Sequence, residues 1–98
     1  MPNYIFLCKF TTEGARGIRQ AAERRQRGRA MAERFGGRIV STWSTQGRYD
    51  VVILAEFPDE VSASAYALGV ASAGNLSTET MRAFSEQEMD AIIAKLPS

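Results

Sequence analysis

Two segments of this chain are apolar on both of their alternating faces, and this pattern restricts the possible folds more than any other. The segment 4–10 is rich in β-branched and aromatic residues. In the segment 49–57 the odd positions are all apolar, whereas the even positions are apolar in the middle and acidic at both ends. Strands of this kind are shielded from water on both sides. The chain therefore needs a sheet with both faces covered.

A helical stretch follows the first of these strands. The hydroxyl of Thr11 or Thr12 can cap its beginning, and two consecutive glycines after Phe35 supply a left-handed stop. Gly17 and Gly28 each cost about 1 kcal/mol relative to alanine inside a helix. The sequence therefore predicts a break or a kink between the two ends.

A second helix follows the second apolar strand. Asp59 is a good N-cap for it, and the helix reaches about Ala73. Its residues Val61, Ala65 and Leu68 align on one stripe, which is its predicted apolar face. The many alanines permit close packing on a sheet.

The remaining elements are two more polar strands and a short helix. The strands are predicted over residues 38–43 and 76–84. Ser85 and Glu88 form a capping box that opens the final helix. The apolar face of this helix consists of Met89, Ile92, Ile93 and Leu96.

The resulting order is β-α-β-β-α-β with an added C-terminal helix, in a single domain over residues 1–98. This order is typical of the ferredoxin-like arrangement, an α+β fold in which both main helices cover one face of a four-stranded antiparallel sheet. The first and third strands lie at its centre, and these are the two that are apolar on both faces. The pattern and the topology therefore agree.

Two helices leave the other face of such a sheet open. That face spans about 350 Å² in projection, which is near the upper limit for an apolar patch on a monomer. The C-terminal helix could cover part of it, but a second subunit is the more economical solution. We expect a homodimer of the dimeric α/β barrel type or a higher oligomer. The side chains assigned to the helix side are Phe6, Cys8, Phe10, Val51, Ile53 and Phe57, and those assigned to the open side are Ile5, Leu7, Lys9, Asp50, Val52, Leu54 and Glu56.

The chain has no histidine and one cysteine, Cys8, among its 98 residues. This composition excludes Ser-His and Cys-His nucleophile pairs, histidine-ligated haem, the usual zinc sites and an internal disulfide. Cys8 lies in an apolar stretch and is expected to be inert. We expect no metal and no cofactor. Since no apolar stretch approaches bilayer length and no signal peptide is evident, we expect a cytoplasmic protein with no membrane partner.

Charge is unevenly distributed. Residues 1–48 carry ten Lys or Arg against three Glu, a net +7, and residues 49–98 carry two against eight acids, a net −6. Six arginines lie between Arg16 and Arg29, a pattern that can contact a nucleic-acid backbone. No aromatic residue between Phe10 and Phe35 offers a stacking surface for bases. The sequence therefore favours a solvated helix face that pairs with acidic groups, and nucleic acid is the weakest partner hypothesis.

A family resemblance becomes visible at Gly47-Arg48-Tyr49-Asp50. The chain resembles the GYD domain family, small bacterial and archaeal proteins named for a Gly-Tyr-Asp element. The resemblance implies a ferredoxin-like fold related to the dimeric α/β barrels, and it implies no particular reaction. Its other motifs are Tyr4-Ile5, Phe10-Thr11-Thr12-Glu13-Gly14, Phe35-Gly36-Gly37, Val51-Val52, Glu56-Phe57-Pro58-Asp59, Gly74-Asn75-Leu76, Thr78-Glu79-Thr80 and Arg82-Ala83-Phe84.

One group of candidate binding residues lies around the turn before the third strand. Antiparallel pairing brings Lys9 near Arg48, Tyr49 and Asp50. A Lys9–Asp50 pair beside Tyr49 could orient a polar ligand or transfer a proton. The alternative, which the sequence favours, is a packed tyrosine and an ion pair that seals a subunit interface.

A second group of candidates lies at the opposite end of the sheet. Glu56 and Arg82 could share a face, where the glutamate would act as a base or simply form a salt bridge. Trp43 could line a pocket, although an edge-strand tryptophan is more often part of an interface or a core.

Together these observations favour an oligomeric binding or regulatory module. Its small ligand would lie in a mostly apolar pocket between subunits, with polar groups at the edge. The alternative is a cofactor-independent enzyme of the dimeric α/β barrel type that acts on a small organic substrate, an idea that depends on fold analogy. Binding of nucleic acid through the arginine-rich helix ranks last.

Overall fold

The two doubly apolar strands lie side by side at the centre of one antiparallel sheet. A computed structural model describes residues 1–98 and gives the strand order β2-β3-β1-β4. The ferredoxin-like arrangement predicted from the sequence is therefore confirmed. The strands are β1 (Asn3–Phe10), β2 (Arg38–Ser44), β3 (Val51–Glu56) and β4 (Leu76–Ala83).

The first predicted helix is divided in two at Gly17. The structure has α1 (Thr12–Arg16), a 3₁₀ turn (Ile18–Gln20) and α2 (Ala21–Arg34) in its place. The Thr11 hydroxyl caps α1 by accepting a hydrogen bond from the Gly14 amide. Gly28 stays within the regular part of α2, so only the first of the two glycines coincides with the break.

The helix side of the sheet carries the core. Tyr4, Phe6 and Cys8 alternate in β1, and with Ile53, Ala55 and Phe57 from the β3 region they are the buried side chains of the sheet. The rings of Phe6, Phe57 and Tyr66 lie 5.1–6.2 Å apart, mostly edge to face, a geometry that aromatic pairs favour. Burial raises the pKa of the Cys8 thiol to about 11, so this thiol is poorly reactive at neutral pH.

The predicted apolar face of the second main helix was wrong. In α3 (Glu60–Ser72) the side chains of Val61 and Leu68 are 80% and 71% exposed, while Ala63 and Tyr66 are buried. The Tyr66 ring completes the aromatic cluster with Phe6 and Phe57. Because the large Tyr66 ring faces the core, Val61 and Leu68 lie on the outer side of the helix.

The final helix, α4 (Glu86–Ile93), leaves the body of the protein. Ser85 and Glu88 form the predicted capping box, and Arg82 pairs with Glu88 at 3.1 Å. Beyond this anchor α4 makes only marginal contact with the other elements, and the protein measures 54 × 30 × 18 Å. The helix therefore does not cover the open face of the sheet. No helix of the protein combines the length and apolar character needed to cross a membrane.

A closely packed junction fixes the start of α1 against the turn between α3 and β4. The Thr11 hydroxyl donates to the Gly74 carbonyl at 2.6 Å, and the Thr11 amide donates to the Asn75 carbonyl at 3.1 Å. The Asn75 carbonyl also lies where a Cβ atom on Gly14 would have to be, so only glycine fits there. Two of the motifs that carry the family resemblance thus meet in space.

This junction generates a prediction with a matched control. Gly14→Ala should lower the free energy of unfolding by about 1–3 kcal/mol, because the methyl group must displace backbone. Gly28→Ala should instead raise it by about 0.5–1 kcal/mol, since its Cβ would meet only the Tyr66 hydroxyl at 3.6 Å. Urea unfolding of both variants measures the difference. Equal effects of the two substitutions would contradict the described junction.

Candidate functional site

The open face of the sheet is an apolar surface that no helix covers, and its central side chains are half-buried by their neighbours. Ile5 of β1 lies directly between Leu54 of β3 and Met81 of β4, and in the next row Leu7 is opposite Val52. Trp43 of the edge strand β2 extends that row beyond Val52, and its side chain is 67% exposed. We call this set, Ile5, Leu7, Trp43, Val52, Leu54 and Met81, the open-face patch.

A polar cluster lies at one end of this face. The Tyr49 hydroxyl donates a hydrogen bond to the Glu79 carboxylate. The Lys9 ammonium and the Arg48 guanidinium lie 5.8 and 6.0 Å from the centre of the Tyr49 ring, within range of cation–π attraction. With Leu7, Ser77 and Thr78 these residues line a shallow cavity of about 200 Å³. We call Lys9, Arg48, Tyr49 and Glu79 the Tyr49 cluster.

The environment of Tyr49 keeps its phenol protonated. The hydrogen bond to Glu79 is the main cause of the raised pKa of Tyr49, and partial desolvation and the negative charge of Glu79 add to it, whereas Arg48 acts in the opposite direction. Tyr49 is therefore a hydrogen-bond donor at neutral pH rather than a proton acceptor. Next to two cations and a carboxylate, it suits the orientation of a polar ligand.

Asp50 has a structural role that the sequence did not indicate. Strand pairing between β1 and β3 ends at Cys8 and Val51, which leaves the Phe10 amide without a strand partner on that side. The Asp50 carboxylate accepts from this amide at 2.8 Å, and the Asp50 amide donates to the Cys8 carbonyl at 2.8 Å. The predicted Lys9–Asp50 ion pair is not among the ion pairs of the protein, and the carboxylate instead accepts from the backbone. Asp50 thereby holds the turn that presents Tyr49.

The predicted Glu56–Arg82 pair was also wrong. Glu56 is aligned with Asn3 and Arg82 with Tyr4, and neighbouring residues of a strand point to opposite faces of the sheet. On the open face Glu56 pairs with Arg38 at 2.6 Å. On the other face the Arg82 guanidinium lies 4.4 Å from the centre of the Phe84 ring and pairs with Glu88.

The structure therefore brings together only some of the predicted residues. Lys9, Arg48 and Tyr49 converge, and Trp43 lies on the same face across β3 and β1. Glu79 was missed, although the Thr78-Glu79-Thr80 motif contains it, because only the β1–β4 register places it opposite Leu7. No three cysteine, aspartate or glutamate side chains converge in a way that could hold a metal ion.

Comparison with known proteins supports this description of the fold. The model of the GYD domain matches residues 4–93. A Thermus thermophilus protein named "Glutamine synthetase and cystathionine beta-lyase binding protein" is 33% identical over 84 residues, which cover 85% of this chain and 88% of that protein. The crystal structure of TTHA0845, also from Thermus thermophilus, is similar in fold, with a TM-score of 0.55 and 21% identity, covering 87% of this chain and 95% of that one.

The Tyr49–Glu79 contact can be tested by titration. Glu79→Ala should lower the pKa of Tyr49, because the substitution removes both the acceptor that stabilises the neutral phenol and a negative charge that opposes phenolate. Ultraviolet absorbance against pH follows the three tyrosines, and Tyr49→Phe identifies the transition that belongs to Tyr49. An identical Tyr49 transition with and without Glu79 would exclude the contact.

Proposed function

This chain belongs to the GYD domain family, and we propose that it is a binding or regulatory module that self-associates through the open-face patch. Two copies would bring their sheets face to face and enclose an apolar compartment between them. The Tyr49 cluster would then lie at the edge of this compartment, where it could orient the polar group of a small ligand. The shared compartment and the ligand are both part of the proposal.

The uncovered open face is the observation that carries this proposal. If about half of its roughly 350 Å² is apolar, its burial contributes on the order of 4–5 kcal/mol per sheet before the costs of association. Within the chain only α4 was available to provide this cover, and α4 points away from the sheet. A second copy supplies an identical apolar surface, as a two-fold symmetric interface requires.

Two further observations support a binding role over a catalytic one. A relative is named for binding two enzymes, glutamine synthetase and cystathionine beta-lyase. In this chain the Lys9–Asp50 pair, the candidate for proton transfer beside Tyr49, is not formed, and the Asp50 carboxylate accepts a hydrogen bond from the Phe10 amide instead. The cofactor-independent enzyme considered above therefore has less support than a module whose output is binding.

Self-association through the open-face patch can be tested by charge insertion. Leu54→Lys places an ammonium group in the middle of the patch, next to Ile5, and should shift the protein to monomer at micromolar concentration. Val61→Lys is the matched control, since it makes the same kind of change at an exposed aliphatic residue of α3. Sedimentation velocity measures the species present.

The two variants distinguish the possible interfaces. The proposal predicts that the unmodified protein and Val61→Lys sediment as the same oligomer, while Leu54→Lys does not. Dissociation by Val61→Lys alone would locate the interface on the outer stripe of α3 and overturn the proposal. A monomer in the unmodified protein would overturn it as well.

A further inference from the structure

A larger cavity lies on the other side of the sheet, beneath α2. Its volume is about 280 Å³, and its walls are mainly apolar. Phe10, Val51 and Leu76 contribute from the sheet, and Val70 contributes from α3. This cavity shares no lining residue with the one beside Tyr49. It is therefore a separate feature from the open face and the Tyr49 cluster.

The cavity exists because the inner side of α2 carries little apolar volume. The helix contacts the core near its C-terminal end, through Ala32 and Met31. Towards its N-terminal end the residues above the cavity are Ala21 and Gly28, together with arginines. Without large aliphatic side chains at these positions, the space between helix and sheet stays unfilled.

Arginine side chains surround the opening of the cavity. Arg24 is held in place by the Gly14 carbonyl at 3.0 Å and by the Gly17 carbonyl. Arg25 and Arg29 also line the cavity, and neither belongs to any of the three ion pairs of the protein. These two lie four positions apart on one helix face, where like charges repel. An anion between them would relieve that repulsion.

The hydroxyl of the buried residue Tyr66 is a polar group at the wall of the cavity. The Tyr66 side chain is only 2% exposed, and its hydroxyl makes no hydrogen bond to another protein group. Every side-chain nitrogen or oxygen that is fully enclosed in the protein has a hydrogen-bond partner. The Tyr66 hydroxyl has none, so it is not fully enclosed, and the space that it borders is the cavity that Tyr66 lines. Buried polar groups are normally hydrogen-bonded. Burial raises the pKa of Tyr66 to about 12, so its hydroxyl can donate at neutral pH.

We propose that this cavity binds a small amphiphilic carboxylate, such as a medium-chain or arylalkyl acid. The apolar body of the ligand lies against Phe10, Val51 and Val70. Its carboxylate accepts hydrogen bonds from Arg25 and Arg29 at the opening and from the Tyr66 hydroxyl below Gly28. Charge-assisted bonds of this kind give carboxylates their orientation in a mostly apolar site.

Calorimetry and NMR chemical shifts with octanoate as the probe test this proposal. Octanoate should bind to the unmodified protein, and octan-1-ol, which has the same chain without the charge, should bind at least about tenfold more weakly. The shifted amides should belong to α2 and to the adjoining parts of β3 and α3. The absence of octanoate binding, shifts confined to the open face, or equal affinity for the alcohol would each overturn the proposal.

Substitutions on α2 distinguish the site from general attraction to a basic helix. Arg25→Gln with Arg29→Gln should weaken octanoate binding about tenfold, whereas Arg27→Gln, which removes a charge from the same helix outside the cavity, should leave it unchanged. Equal weakening by Arg27→Gln would indicate general attraction to a basic helix and would overturn the site.

The cavity itself is tested at Gly28 and Tyr66. Gly28→Leu should fill the space and abolish binding, with urea unfolding as the check that the variant folds. Tyr66→Phe keeps the packing and should weaken binding severalfold by removing the hydroxyl donor. Retained affinity in both Gly28→Leu and Tyr66→Phe would overturn the proposal. Leu54→Lys leaves every lining residue of the cavity in place and should still bind octanoate in preference to octan-1-ol, so this test does not require self-association.

Discussion

The fold of this protein depends on two neighbouring strands, β1 and β3, that carry apolar side chains on both sides of one sheet. On the helix side the chain covers these strands itself, since Tyr66 of α3 packs against Phe6 and Phe57. The open side has no equivalent within the chain. The proposed self-association follows from this difference between the two faces, because a second copy would remove the apolar side chains of the open face from water.

Backbone hydrogen bonds at the ends of the central strands decide where the polar residues lie. Pairing between β1 and β3 stops at Cys8 and Val51, and the Asp50 carboxylate takes over the Phe10 amide that the strand can no longer satisfy. This holds the preceding residue, Tyr49, at the edge of the open face. In the Gly-Tyr-Asp element, Asp50 therefore has a structural function at the end of the strand pairing, and Tyr49 forms part of the candidate site.

The sequence was sufficient to predict the features that depend on periodicity and capping. The two central strands and the caps at Asp59 and Ser85 follow from local patterns. The topology and the proximity of Lys9 to Tyr49 follow from the strand pairing that these patterns imply. The features that the sequence analysis predicted wrongly or missed depend on the register between strands or on the volume of packed side chains. Glu56 and Arg82 were placed on one face because a shift of one residue reverses a side chain, and Glu79 was missed for the same reason. The cavity beneath α2 results from missing volume, which no motif indicates.

The two proposed surfaces share one strand. Val51 of β3 lines the cavity beneath α2, and the next residue, Val52, lies on the open-face patch. Coupling between a ligand on one side and a second copy on the other would therefore pass through the backbone of β3. Coupling of this kind is reciprocal, because a ligand that strengthened self-association would itself bind more tightly to the associated form. If β3 did not move, ligand binding in the cavity would leave the open face unchanged. The size of the coupling therefore depends on how far β3 shifts when the cavity is filled.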